Sequence, residues 1–385
     1  MKWLLVLVNL ICFGTSLELS DIDDSLALLW KPQDDKKTNE CKVQIKGSTK
    51  YGFCMPHAKC IMTGGSPQGF CGFLSTCCIV ENSCGQISGA KISYFEAHDL
   101  PNGITNCNYN IRLRNPNICQ VRLDFIKFHL APATLTLPQH ATNKIYKCLD
   151  DRLTISPNVF DIPILCGNND KQHVYVHVNQ TDNVTKGVLL QMTLSDRNYH
   201  SHLFAPSWKI KITQLECPAD RKFFSLPSQD VNQDFPQLAP LGAIQYFNER
   251  AGYIKSFGYD GSVSIQSYTY DQKYAIAFKR DIGTCGISFT PQYIYLPYTS
   301  GTGIIADKDC THYLFVPDLY FDVDPLKPNP NDMVAKVCLK ENLTFRSYAP
   351  GPLYIYFSSV ATDFATEEDK RQGFNIKYEL LNKCI

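Results

Sequence analysis

The chain has 385 residues, with 37 Lys and Arg against 37 Asp and Glu, so its formal net charge is zero. That balance, without a basic stripe or an acidic tail, excludes the electrostatic footprint of a nucleic-acid partner. Apolar residues make up 44% of the chain, and its 22 Gly, 22 Pro, 21 Tyr and 22 Phe favour strands and turns over long helices; the length predicts two sizeable domains and a smaller unit.

Lys2, the apolar run Leu4 to Phe13 and the small residues Gly14 and Ser16 read as a secretory signal peptide, residues 1–16, cut after about Ser16. No later apolar stretch is long enough to span a membrane, and no hydrophobic tail of a lipid-anchor signal is expected at the end. Of 17 Cys, Cys12 falls in the signal, which leaves 16 for an oxidising compartment. No C-x-x-C pair exists, against zinc or redox chemistry. Sequons at Asn179, Asn183 and Asn342 fit a glycosylated surface.

Residues 17–40 are polar and without Cys, and read as a flexible segment. Residues 41–78 form a compact knot with Cys41, Cys54, Cys60, Cys71, Cys77 and Cys78. So small a unit depends on its disulfides, and the residues alone leave fifteen connectivities open. From Cys84 onward one order of segments occurs twice. Cys119 in N-I-C-Q-V-R-L-D-F, Cys148, Cys166 and the strand ending at Cys217 are followed by Cys285 in G-T-C-G-I-S-F, Cys310, Cys338 and the strand ending at Cys384. Period-2 alternation is clear in Val174, Val176 and Val178 against His173, Tyr175 and His177, and in Leu353, Ile355 and Phe357 against Tyr354 and Tyr356. One buried and one wet face per sheet predicts antiparallel sheets packed as sandwiches, with boundaries at 84–217 and 218–385.

Both repeats resemble CUB domains, jelly-roll-like sandwiches of extracellular proteins. The first carries Cys84-Gly85, Cys107-Asn108-Tyr109, Val121 to Phe125, Cys148 with Asp151 and Leu153, Pro163 to Gly167, and Ser195-Asp196. The resemblance implies Cys84–Cys107 and Cys148–Cys166, leaving Cys119 and Cys217 to pair with each other. In the more divergent second repeat Cys310–Cys338 and Cys285–Cys384 would correspond, with Ala243 and Ala277 about where the opening pair falls. The knot resembles a short arthropod clip domain, which implies Cys41–Cys77, Cys54–Cys71 and Cys60–Cys78. The expected fold is therefore all-β: two tandem jelly-roll-like, CUB-like sandwiches behind a small disulfide-rich module.

Catalytic motifs are missing. The sequence has no G-D-S-G-G or A-A-H-C segment, no G-x-S-x-G elbow and no H-E-x-x-H pair, and Ser264 and Ser288 read as strand or turn residues. His173 and His177 fall on one strand, about 13 Å apart, and read as solvent-facing; His200 and His202 read as a polar loop. The resemblance implies one metal candidate, calcium held by Asp151 and Asp196 in the first repeat, with Asp150 alongside and Ala131 where a Glu ligand is usual. The second repeat has His312 or Tyr313 and Ser359-Val360 at those places, so no calcium is expected there. Tyr293, Tyr295, Tyr298, Tyr354 and Tyr356 supply aromatic surface, read first as cross-strand packing. The expected function is a secreted, non-catalytic binding protein that contacts extracellular protein or glycan. A proteolysis-cascade regulator lacking a protease domain, or a venom or salivary gland product, are the alternatives.

Overall fold

The computed structural model describes residues 40–45, 47–97, 99–136, 145–178, 187–217, 234–259, 261, 267–296, 310–321, 335–338, 342–359 and 372–383. The expected signal and flexible segments up to residue 39, Asn179, Asn183, Tyr298, Val360 and Cys384 lie outside the described residues. The chain divides into two compact units, 1–79 and 80–385.

In the first unit, strands β1 (Glu40–Ile45), β2 (Ser48–Pro56), β3 (Ser66–Gly72) and β4 (Ser75–Ile79) form an antiparallel sheet in the order β1-β2-β4-β3, with a six-residue helix α1 (His57–Met62) after β2. Three disulfides tie it together: Cys41–Cys77, Cys54–Cys71 and Cys60–Cys78. Adjacent Cys77 and Cys78 point to opposite sides of β4, as the period of a strand requires, so each reaches a different partner. Phe70, Phe73, Leu74, Ile61 and Met62 remain exposed.

The second unit holds two sandwiches. The first comprises β5 (Glu81–Asn82), β6 (Ile87–Ser88), β7 (Ile92–Ala97), β8 (Asn106–Arg112), β9 (Ile118–His129), the hairpin β10 (Thr134–Thr136) and β11 (Ile145–Lys147), β12 (Arg152–Ser156), β13 (His173–His177), β14 (Gly187–Thr193) and β15 (Ser207–Glu216). Its sheets run β12-β14-β8-β6 and β13-β9-β15-β7-β5. The second comprises β16 (Ala243–Phe247), β17 (Ala251–Lys255), β18 (Lys273–Phe278), β19 (Gly286–Tyr295), β20 (His312–Phe315), β21 (Leu319–Phe321), β22 (Lys336–Val337), β23 (Phe345–Ser347), β24 (Leu353–Ser359) and β25 (Gly373–Leu381), in sheets β16-β18-β24-β20-β22 and β17-β25-β19-β23-β21. The repeat is visible strand for strand. β6, β8, β14 and β12 neighbour one another as β16, β18, β24 and β20 do, each set opening on a parallel pair; β7, β15, β9 and β13 match β17, β25, β19 and β23.

Alternation fills each core. Cys107, Tyr109 and Ile111 of β8 and Val188, Leu190 and Met192 of β14 face Trp208, Ile210 and Ile212 of β15 across the first sandwich. Disulfides Cys84–Cys107, Cys119–Cys217, Cys148–Cys166 and Cys310–Cys338 are present, and Cys285 is disulfide-bonded. Cys119–Cys217 closes a sequence separation of 98 between the start of β9 and the end of β15; a loop of that order is worth about 4–5 kcal/mol in the chain-entropy account. In the second repeat the inward residues of β18 are Tyr274, Ile276 and Phe278. Tyr274 therefore stands at the Cys107 place. Ala277 points to the opposite face, which corrects its assignment to that place.

That opposite face leads to the seam between the sandwiches. Tyr175 and Leu215 of the first pack with Ala239, Ala243, Tyr246 and Ala277, with Leu238 and Tyr354 at the edge. The small side chains of Ala243 and Ala277 let the backbones approach. Polar groups are matched as closely. Gln120 Nε2 donates to Ala239 O at 2.7 Å, and Ala239 N donates back to Gln120 Oε1 at 2.9 Å. Gly258 N donates to Asn169 Oδ1 at 2.7 Å, and Tyr270 N to Tyr146 O at 3.2 Å. Lys91 forms a buried ion pair with Asp234, whose Oδ2 also accepts Glu216 N at 2.9 Å. Gln120→Ala strips the Ala239 amide and carbonyl of their partners in a water-poor seam, an expected loss of about 2–5 kcal/mol. A urea titration of the variant beside the parent measures it; an unchanged midpoint contradicts the bridging role.

Candidate binding cleft at the seam

β13 is buried on both faces. Val174 and Val176 fill the first core, while His173, Tyr175 and His177, expected in solvent, are buried against the second sandwich, at 6% and 8% exposure for the two histidines. Strict alternation yields two faces; it carries no information on what covers the second one. Here β16 covers it. His177 Nε2 donates to Ala243 O at 2.9 Å, and its Nδ1 faces Gln120 Nε2 at 3.4 Å. His173 Nε2 accepts Tyr246 N at 2.9 Å. Tyr175 Oη donates to Gln237 O at 2.9 Å and accepts Arg122 Nη1 at 3.0 Å, while Arg122 Nε holds Asp124 at 2.8 Å. Burial pushes the Tyr175 phenol up to about 12. Burial, then the Arg122 charge, pushes the His173 imidazole down to about 3, and burial lowers His177 as well. The His173 ring is held neutral by geometry too, because a second proton on it would set an N–H against the Tyr246 N–H.

A cleft of about 370 Å³ opens beside these groups, lined by Asp170, Lys171 and Gln172 before β13, Gln245 and Phe247 of β16, Tyr253 and Lys255 of β17, and Asn375 of β25. Gln245 Nε2 donates to Gln172 Oε1 at 3.3 Å, and Gln172 Nε2 reaches Ser256 O at 3.3 Å. Asp170 is turned into the first sandwich: its Oδ1 accepts Phe128 N at 2.6 Å and its Oδ2 lies 2.8 Å from His129 Nε2. Phe247 is anchored from behind by His173 and Tyr378, at ring-centroid distances of 4.9 and 5.5 Å. Tyr378 lies over Gly252, where a Cβ would come within 2.9 Å of its Oη, so the strand carrying Tyr253 depends on a residue without a side chain.

The expected calcium ligands have another partner. Asp151, 1% exposed, receives Arg197 Nη1 on Oδ1 at 2.8 Å and Arg197 Nη2 on Oδ2 at 2.6 Å. Ala131 N and Ser195 N complete its shell at 2.9 and 3.1 Å. Four donors exhaust a carboxylate's lone pairs, and the guanidinium supplies the positive charge that a calcium ion would bring. The remaining Arg197 hydrogens go to Phe204 O and Ser195 O. Asp196 caps the following turn by accepting Asn198 N at 2.8 Å. Asp151, expected as a calcium ligand with Asp196, thus has a cation within the protein, Arg197, directly after the Ser-Asp pair. In the second repeat His312 Nδ1 lies 2.6 Å from Tyr268 Oη, and Ser359 Oγ accepts Gln272 N at 3.0 Å.

His200 and His202 sit on the surface with ring centroids 6.0 Å apart. Tyr354 and Tyr356 stack at 6.1 Å, Tyr354 at the edge of the seam cluster and Tyr356 exposed; Tyr293 stacks on Tyr259 at 5.3 Å. Among the described residues no group of three or more His, Cys, Asp or Glu is gathered as metal ligands, no catalytic constellation is present, and no helix is long and apolar enough to cross a membrane.

Two measurements follow from these contacts. The folded His173 prefers the neutral form, and the unfolded one takes its proton near pH 6.5. The stabilisation is therefore full above pH 6.5 and declines as pH falls toward about 3. By pH 5 the loss is about 2 kcal/mol from His173 alone. Thermal midpoints at pH 7 and 5 report it, and His173→Gln should flatten the slope; an equally steep variant removes His173 as the cause. Separately, Arg197→Met leaves a buried carboxylate without compensation and should cost about 3–5 kcal/mol. Millimolar calcium should leave the parent's melting temperature unchanged, and a rise of several degrees would restore the metal reading.

Residues 240–381 match the family model of the animal CUB domain. The match falls on the second sandwich, whose cysteine pattern is the less complete of the two. No curated protein matches the chain. Among solved structures, the CUB1-EGF-CUB2 domains of rat MASP-1 are 10% identical with a TM-score of 0.24, covering 78% of this chain and 99% of that one. The CUB1-EGF-CUB2 domain of human MASP-1/3 is 11% identical with a TM-score of 0.23, covering 76% and 100%. The full extracellular region of zebrafish Gpr126/Adgrg6 is 11% identical with a TM-score of 0.22, covering 80% and 37%. The protein is thus predominantly β, with CUB-like domains, one of them matched at residues 240–381, and a disulfide-rich module before them.

Proposed function

We propose that this is a secreted, non-catalytic extracellular binding protein whose CUB-type modules contact protein or glycan. The supporting observation is a duplicated CUB-like fold in a chain stapled by disulfides in every unit. Disulfides of this density persist in oxidising compartments. In this reading the signal peptide ends near Ser16, the disulfide-rich module spans 41–78 in the manner of a clip domain, and the CUB-type domains span 84–217 and 218–385. Cys285 pairs with Cys384, as Cys119 does with Cys217. Asn179, Asn183 and Asn342 carry glycans; Asn342 is exposed and its Nδ2 makes a 3.1 Å bond to Gln292 O.

Expression of the full chain in a secretory host should deliver it to the medium with its N-terminus near residue 17 and a mass that falls on N-glycosidase treatment. The secreted protein, immobilised, should then retain a reproducible partner from extracellular fluid. Retention in the cell, or capture of nothing above a scrambled-disulfide control, refutes the proposal.

A further inference from the structure

The disulfide-rich unit carries charge of one sign. Between Cys41 and Ile79 stand Lys42, Lys46, Lys50 and Lys59 and not one Asp or Glu, in a chain whose net charge is zero. The same unit exposes large apolar side chains: Ile61, Met62, Phe70, Phe73 and Leu74 are 56–96% exposed. The fold presents them by construction. Phe73 and Leu74 form the two-residue turn between β3 and β4, closed by Gly72 opposite Ser75. Such turns favour Asn and Gly, because left-handed backbone suits few other residues, yet Leu74 holds a φ of 55°. A polar tip would fold more easily, so the turn keeps two apolar side chains outward at a cost. Phe70 stands opposite Thr76 and so shares a face of the sheet with Cys78, which is bonded to Cys60 of α1. Phe70 and the helix that carries Lys59, Ile61 and Met62 are therefore on one side of the sheet. Cys54–Cys71 and Cys60–Cys78 hold the backbone beside Phe70 and Ile61.

We propose that this unit docks on an anionic phospholipid bilayer, with Phe70, Phe73 and Leu74 entering the interface and the lysines facing the headgroups. Exposed apolar patches mark protein or membrane contacts, and two features favour the membrane. The first is the lack of directional groups. Gly69 to Leu74 is a run of six residues without a side-chain hydrogen-bonding group, since Cys71 is spent in its disulfide. A protein interface carries about one hydrogen bond per 100–200 Å² and receives aromatic anchors in fitted pockets; fluid hydrocarbon makes neither demand. The second is the charge. Four lysines without a carboxylate among them need a partner that is anionic over an extended surface. Apolar interior beneath an anionic surface is the make-up of such a bilayer, and apolar insertion with electrostatic attraction is how interfacial segments hold to one. The proposal concerns the first unit and goes beyond the contacts ascribed to the CUB-type modules, so either can fail without the other.

The test is co-sedimentation of the full chain with vesicles of phosphatidylcholine alone and of phosphatidylcholine and phosphatidylserine in a three-to-one ratio. The chain should pellet with the anionic vesicles, far less with the neutral ones, and should be partly released by salt. Phe73→Ser combined with Leu74→Asn removes the apolar tip while suiting the turn, and should weaken binding about tenfold or more. Phe70→Ser, which leaves the turn untouched, should act in the same direction, and melting temperatures show that both variants are folded. Lys42→Gln, at an exposed position, should weaken binding severalfold and lessen its dependence on salt. Tyr356→Ala, in the second sandwich, should change nothing. Absence of binding to the anionic vesicles overturns the proposal, as does equal binding to neutral ones or binding indifferent to both tip variants. A protein captured from extracellular fluid by the parent and lost with the double variant, while vesicles stay unbound, assigns the surface to protein and overturns it too.

Discussion

The seating of the outer face of β13 on β16 is the contact on which the rest of the larger unit depends. A strand at the edge of a sandwich ordinarily keeps one face wet. Here that face carries His173, Tyr175 and His177, and each makes a hydrogen bond to the backbone of residues 237–246. Backbone bonds fix register more tightly than apolar contact alone, because a slip of one residue would turn all three away. The neutral state of the histidines, the small residues at 243 and 277 and the position of the cleft all follow from this one docking.

Buried charge in the first sandwich is met by a protein partner rather than by solvent. Asp151 is saturated by Arg197 and two amides, and Lys91 is closed by Asp234. Burying such pairs gains little net stability, but removing one member is expensive. Their use is positional. Asp151 ties the start of β12 to the turn after β14, and Asp234 ties the segment between the sandwiches back to Lys91 and Glu216. The second repeat reaches the corresponding closure without a charge, through the His312–Tyr268 pair and Ser359.

Much of the fold could be read directly. Alternation in Val174 to Val178 and in Leu353 to Phe357 located strands, and the recurrence of Cys-bearing segments located the duplication. What resisted was anything set by the partner surface. The pattern His173-Val174-Tyr175-Val176-His177 reads as half-wet whether water or β16 covers it. Ala277 has about the spacing of the missing cysteine but faces the seam; pairing β18 with β24 puts Tyr274 inward instead. The calcium expectation leaves one neighbour out of account. Ser195-Asp196 fitted the motif, but Arg197 supplies the cation. The cleft was invisible because its eight lining residues come from four separate stretches, none with a motif of its own.

The docking is heterologous: the two repeats present different surfaces to each other. Such contacts can propagate from copy to copy unless the matching surface is absent. In the second repeat, the strand equivalent to β13 is β23, only three residues long, with Phe345 buried inward and Arg346 on the other face, and with β21 pairing along its open edge. The first repeat's equivalent of β16 is β6, Ile87–Ser88, two residues long against the five of β16. Each repeat has therefore kept one half of the seam and lost the other. Among the described residues that asymmetry leaves a composite cleft to which the two repeats contribute different strands.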